Sequence, residues 1–67
     1  MDGERFGRRV GAFRKLKRLP QSEFAKRLEI STASLGRIER GEKVPSSQFI
    51  AKIAEQLDID QQELIGE

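Results

Sequence analysis

Residues 21–41 read Gln21-Ser22-Glu23-Phe24-Ala25-Lys26-Arg27-Leu28-Glu29-Ile30-Ser31-Thr32-Ala33-Ser34-Leu35-Gly36-Arg37-Ile38-Glu39-Arg40-Gly41. The spacing predicts two short helices joined by a tight turn. The first, over 21–28, buries Phe24, Ala25 and Leu28, and Ala25 is small enough to let a second helix cross closely. The second opens at Ser31, whose side chain can accept a hydrogen bond from an otherwise orphaned backbone N–H. At about 100° per residue, Leu35 and Ile38 point one way, while Thr32, Ala33, Gly36, Arg37 and Arg40 point the other. One face is apolar and the opposite face carries small groups and arginines. That division suits a helix lying in the groove of a duplex: short side chains allow close approach, and long cations reach base edges and phosphates. It equally describes an amphipathic helix with a solvated basic face, so this stretch alone does not decide.

The flanking segments read as supports for this pair. Residues 4–18 are expected as a first helix, with Phe6, Val10 and Phe13 at helical spacing and Leu16 extending the stripe. Asp2 can cap it, and Glu4 suits its positive end. The Leu19-Pro20 step should stop it, because the residue before proline is biased out of the helical region. The aromatic rings lie opposite the stripe of Arg5, Arg8, Arg9, Lys15 and Arg18. They read as core, not as stacking platforms for single-stranded nucleic acid, which need exposed rings among the cations. Ile30 should tuck into the core after the turn at Glu29. Gly41 suits a left-handed helix end. After the loop 42–45, Ser46 can cap a fourth helix whose Ile50, Ile53, Ala54 and Leu57 form one stripe. Asp60 opens a short fifth helix, with Glu63 placed for a capping box and Ile59 and Leu64 for a hydrophobic staple. No segment alternates as a strand does. The fold class is therefore all-α, a compact bundle of five helices forming one domain over residues 1–67.

Composition narrows the function. The 67 residues include no Cys and no His, which excludes disulfides and a tetrahedral Cys/His metal site. Tyr is also absent, so most nucleophiles and neutral-pH bases are missing and an enzyme is not expected. No cofactor is implied. No apolar run approaches the roughly 20 residues of a membrane span, and the start lacks the apolar core of a signal peptide; a cytoplasmic location is the expectation. The net charge is +2. It is unevenly placed, with nine basic and four acidic residues in 1–34 against four basic and seven acidic in 35–67. The basic half suits a polyanion, and the acidic half suits solvent or a partner.

Taken together, Gln21-Ser-Glu-Phe24-Ala25, Leu28, Ile30-Ser31, Leu35, Ile38-Glu39-Arg40-Gly41, Pro45-Ser46, Ile50, Ile53-Ala54 and Leu57 resemble the Cro/CI-type (XRE-like) helix-turn-helix domains of phage repressors and bacterial regulators. The resemblance spans about residues 5–65. It implies a lambda-repressor-like bundle with residues 31–40 as the recognition helix. Thr32, Ala33, Gly36 and Arg37 would then face base edges, and Gln21, Ser31, Arg40 and Lys43 would hold phosphates. It also implies a structural ion pair between Arg14 and Glu39. The sequence departs from the family at three places. Glu29 stands where the turn usually has glycine, Pro20 where a Ser or Thr usually caps the second helix, and Gly36 where a larger polar residue is usual. With Gly36 and Ala33 on the outer face, Arg37 is the one strong reader, best matched to guanine O6 and N7.

What the resemblance implies, then, is a sequence-specific, dimeric regulator of double-stranded DNA, expected as a repressor on a near-palindromic site. Phe49 and Ile65 are the apolar candidates for the homodimer surface. The alternative is a protein-interaction module of the antitoxin or coactivator kind, meeting a regulatory protein partner through the same fold.

Overall fold

A computed structural model describes residues 2–66. Among them the order is α1 (Gly3–Leu16), α2 (Gln21–Leu28), α3 (Thr32–Glu39), α4 (Ser47–Leu57) and α5 (Gln61–Ile65), with no strand. Each start has a local cause. Asp2 Oδ1 accepts from the N–H groups of Glu4 at 2.9 Å and Arg5 at 3.4 Å. Ser31 Oγ accepts from Ser34 N–H, Ser46 Oγ from Phe49 N–H and Asp60 Oδ1 from Gln62 N–H. Each of these satisfies a donor that has no partner inside its helix. Pro20 occupies the N-cap of α2 without a side-chain bond. Its missing N–H costs nothing there. Glu23, left without a capping partner, lies 3.5 Å from Arg27 one turn on.

The first four helices end alike. After α1, Leu19 N–H reaches Arg14 C=O and Arg18 N–H reaches Lys15 C=O, both at 3.0 Å. Ile30 and Glu29, Glu42 and Gly41, and Ile59 and Asp58 repeat this double bond after α2, α3 and α4. It is the Schellman motif, which needs a left-handed residue at its fifth position. Gly41 fills that place at φ 80°, but Arg18, Glu29 and Asp58 fill it at 60°, 61° and 58°. The turn between α2 and α3 is thus held at Glu29 itself, in the conformation that a glutamate adopts only at a cost.

The same motif corrects the reading of α1. The helix stops at Leu16, two residues short of the expected end, and Leu16 is 72% exposed instead of extending the core stripe. The left-handed Arg18 swings the chain back so that Leu19 packs on the core in its place. The other core expectations match: Phe6, Val10, Phe24, Ala25, Leu28, Leu35, Ile38, Ile50, Ile53, Ala54, Leu57 and Leu64 are buried. Phe13, Leu19, Ile30, Phe49 and Ile59 close around them. The reciprocal capping box at α5 does not form. Asp60 caps Gln62, and Glu63 offers only its backbone N–H to Asp60 C=O.

At Gly7, α1 and α3 approach so closely that no side chain fits between them. A β-carbon on Gly7 would lie 2.4 Å from the carbonyl oxygen of Ile38 and 2.5 Å from that of Glu39. One on Gly41 would meet the α-carbon of Glu4 at 2.8 Å. The end of α3 is thereby pressed onto α1, and its orientation is fixed by backbone contact.

Candidate nucleic-acid interface

α3 divides as its sequence predicts except at Gly36, which is buried. Leu35 and Ile38 are buried; Thr32, Ala33, Arg37 and Arg40 are exposed. Ser31 is exposed, and its hydroxyl is engaged with Ser34 at both the backbone N–H and the Oγ, each at 3.0 Å. Lys43 is exposed in the loop after the helix. Arg37 and Lys43 have no acidic side chain within 4.0 Å among the described residues, so both charges are free to meet an external anion.

Behind this face lies a polar tie. Arg14 Nε donates to Glu39 Oε2 at 2.7 Å and Arg14 Nη2 to Glu39 Oε1 at 3.3 Å. Arg14 Nη1 donates to the Leu19 carbonyl at 2.8 Å. Gln21 Nε2 donates to Glu39 Oε1 at 3.0 Å. One carboxylate therefore joins the end of α1, the first residue of α2 and the last residue of α3. Both charged side chains are about nine-tenths buried. Removed from water, such a pair is stable only when its hydrogen-bonding capacity is filled, and no buried side-chain N or O among the described residues lacks a partner. Gln21, implied as a phosphate contact, is half-buried with its amide nitrogen committed to Glu39.

Gly36 is placed differently from the reading that set it against base edges. It is buried, and what covers it is Arg40: a β-carbon at position 36 would lie 3.0 Å from Arg40 Nη1. Arg40 Nε in turn donates to Glu42 Oε2 at 2.7 Å. That hydrogen bond, then the guanidinium charge and a smaller share from Arg37, hold the Glu42 carboxyl below the usual carboxylate range. The same partner favours the charged form of Arg40.

The two apolar candidates for a dimer surface sit apart in the fold. Phe49 is half-buried and lines a groove of about 230 Å³ with Ile30, Ser34, Ile38 and Pro45. Ile65 is half-buried on α5 and is not among the lining residues. No set of three His, Cys, Asp or Glu among the described residues can hold a metal ion, and no helix is long and apolar enough to cross a membrane.

Three residues that position this face, or line it, carry no role in the sequence pattern: Gly7, Gly11 and Glu42. The first two stand four apart on α1, a spacing that puts them on one face; a β-carbon would be excluded at Gly7 but would make only an ordinary 3.5 Å contact with Glu39 Oε1 at Gly11, so the missing side chain at Gly7 was the available signal for a close helix crossing. Glu42 gave no such signal, because its partner depends on the path taken by Arg40.

Comparison with known proteins agrees with this architecture. A family model described as helix-turn-helix (HTH_3) matches residues 10–64. The chain is 50% identical over 64 residues to YazB, an uncharacterized HTH-type transcriptional regulator of Bacillus subtilis, covering 96% of this chain and 93% of that protein. It is 37% identical over 60 residues to the ImmF control region 10 kDa protein of Bacillus phage phi105, covering 90% and 67%. Its fold superposes with a TM-score of 0.87, at 35% identity, on the crystal structure of the restriction-modification controller protein C.AhdI from Aeromonas hydrophila, covering 94% of this chain and 96% of that one. By sequence match over most of its length and by the helix order that the match requires, the chain belongs to the XRE-type helix-turn-helix family of transcriptional regulators.

Proposed function

We propose that this chain, read as one DNA-binding unit over residues 1–67, binds double-stranded DNA sequence-specifically and regulates transcription as a repressor. The observation that carries the reading is the exposed face of α3, where Thr32, Ala33, Arg37 and Arg40 stand clear while the opposite face is locked into the core. A helix inserted in a major groove must hold its register, and the Arg14–Glu39–Gln21 tie together with the Gly7 contact supports that rigidity. In this role Arg37 reads guanine through O6 and N7, and Thr32 and Ala33 meet thymine methyls. Lys43, Ser31 once its hydroxyl proton turns away from Ser34 Oγ, and the first turn of α2 at Gln21 take phosphates.

A single copy is too small to read two successive turns. Its longest Cα extent is 27 Å, whereas equivalent major-groove positions lie about 34 Å apart. Two copies on a near-palindromic site meet this requirement, with Phe49 and Ile65 as apolar candidates for the contact between them. Repression needs only occupancy of the duplex, which this geometry supports without a further active surface. Such a regulator would act in the bacterial cytoplasm, where the DNA is.

Selection of duplexes from a random pool, followed by titration of the selected duplex at several salt concentrations, tests the reading. A duplex binder gives a recovered consensus and a log–log salt slope of about −0.9 per phosphate contact. Recovery of no consensus, with a flat salt response, would instead favour the protein-interaction module.

A further inference from the structure

The exposed face of α3 has a centre, and Arg40 occupies it. At about 100° per residue, Arg40 projects between Gly36 on one side and Ala33 and Arg37 on the other. Long side chains on a helix lean back toward its N-terminus, over the residue four positions earlier. For Arg40 that residue is Gly36, which has no side chain. The guanidinium lies in the vacated space, 3.0 Å from where a β-carbon would be. It is thus drawn from the end of the helix to the middle of its outer face.

Glu42 favours one orientation of the guanidinium as well. Nε is held by Glu42 Oε2 at 2.7 Å. Among the described residues Nη1 and Nη2 of Arg40 make no hydrogen bond. The edge bearing those two nitrogens is the one that can donate in parallel to a pair of acceptors. Guanine O6 and N7 are such a pair in the major groove. The carboxylate of Glu42 would be repelled by DNA on its own, but it is neutralised by the arginine that it orients.

We propose that Arg40 is a second base reader, selective for guanine, with Glu42 and the bare position at Gly36 as its positioning residues. This rests on the DNA-binding reading above and changes one part of it, since Arg40 as the resemblance implies it holds only a phosphate. The surface rich in small groups then carries two arginine readers side by side, and Gly36 serves the reading by its absence of a side chain.

The experiment is duplex selection with the full chain and with Arg40→Ala, Glu42→Gln and Arg37→Ala, each checked for unchanged helical content by circular dichroism. The expected result is that Arg40→Ala loses preference for guanine at one base pair, by roughly 5- to 150-fold, and that this pair differs from the one lost with Arg37→Ala. Glu42→Gln should relax the same pair as Arg40→Ala, in part. If Arg40→Ala weakens all duplexes equally, lowers the salt slope by about one and leaves the consensus intact, Arg40 is a phosphate contact and the inference falls. If Glu42→Gln tightens every duplex without altering the consensus, Glu42 is a repulsive charge and its positioning role falls. Failure of the unaltered chain to select any duplex would sink the DNA-binding reading itself, a result distinct from either.

Discussion

Arg14 and Glu39 stand 25 positions apart in the chain and 2.7 Å apart in the fold, with both side chains about nine-tenths buried. Because Gln21 donates to the same carboxylate, this pair is where α1, α2 and α3 are fixed to one another. Removing one partner leaves the other charge buried without compensation, at a cost of about 3–5 kcal/mol. We predict that Glu39→Ala lowers the thermal midpoint by more than about 10 °C, since 1 kcal/mol shifts a domain of this size by about 4–8 °C. At temperatures where the variant remains folded, duplex affinity should fall far less than stability. A calorimetric scan with an unchanged midpoint would remove the structural role.

The turn between the two key helices should be improvable. Glu29 sits at φ 61°, where a side chain costs about 1 kcal/mol relative to glycine. Its pairing with Lys52 at 3.5 Å is exposed on the glutamate side and contributes little. Glu29→Gly should therefore raise the midpoint by several degrees. Asp58→Gly should gain less, because aspartate tolerates the left-handed region better than glutamate. Equal or reversed gains in parallel melts would show that strain at φ does not set these differences.

Leu16 and Phe24 provide a contrast in burial. Phe24 is fully buried and Leu16 is 72% exposed. Phe24→Ala should cost about 3–5 kcal/mol, and Leu16→Ala within about 0.5 kcal/mol of nothing. Urea titration of both variants checks this; a large loss from Leu16→Ala would restore it to the core stripe.

These residues also explain what the sequence made legible. The cap at Asp60 located α5, and helical periodicity located α1 to α4, because stripes such as Phe24–Leu28, Leu35–Ile38 and Ile50–Leu57 are what a small helical core requires. It failed at Leu16, where the helix end depends on a left-handed Arg18 that no periodicity records. At the site, the division of α3 into two faces was legible for the same geometric reason. The place of Arg40 over Gly36 was not, because it depends on a side-chain path and on a second residue, Glu42, outside the helix. The Arg14–Glu39 contact came from family resemblance; nothing in the local spacing brings residues so distant together.

The exposed pair of Arg40 and Glu42 has a pH signature. Its hydrogen bond lowers the folded pKa of the Glu42 carboxyl. A depressed carboxyl contributes stability that is fully present above its unfolded value, near 4.3, and lost as pH falls through the lower folded value. Glu42→Gln should therefore differ from the parent chain by a constant, small amount from neutral pH down to that range. The difference should close only in more acid solution. Melts across this pH series check it, and a difference that closes above pH 6 would contradict the assigned cause.

On the proposed function, the exposed face of α3 reads a duplex with Arg37 as a principal contact. The most direct measurement compares binding of the selected duplex with that of a copy changed at the single base pair assigned to Arg37, for the parent chain and for Arg37→Ala. The parent should discriminate by about 1–3 kcal/mol. Arg37→Ala should lose that discrimination with its helical content intact. Discrimination that survives the substitution unchanged would contradict the docking of α3 in the groove.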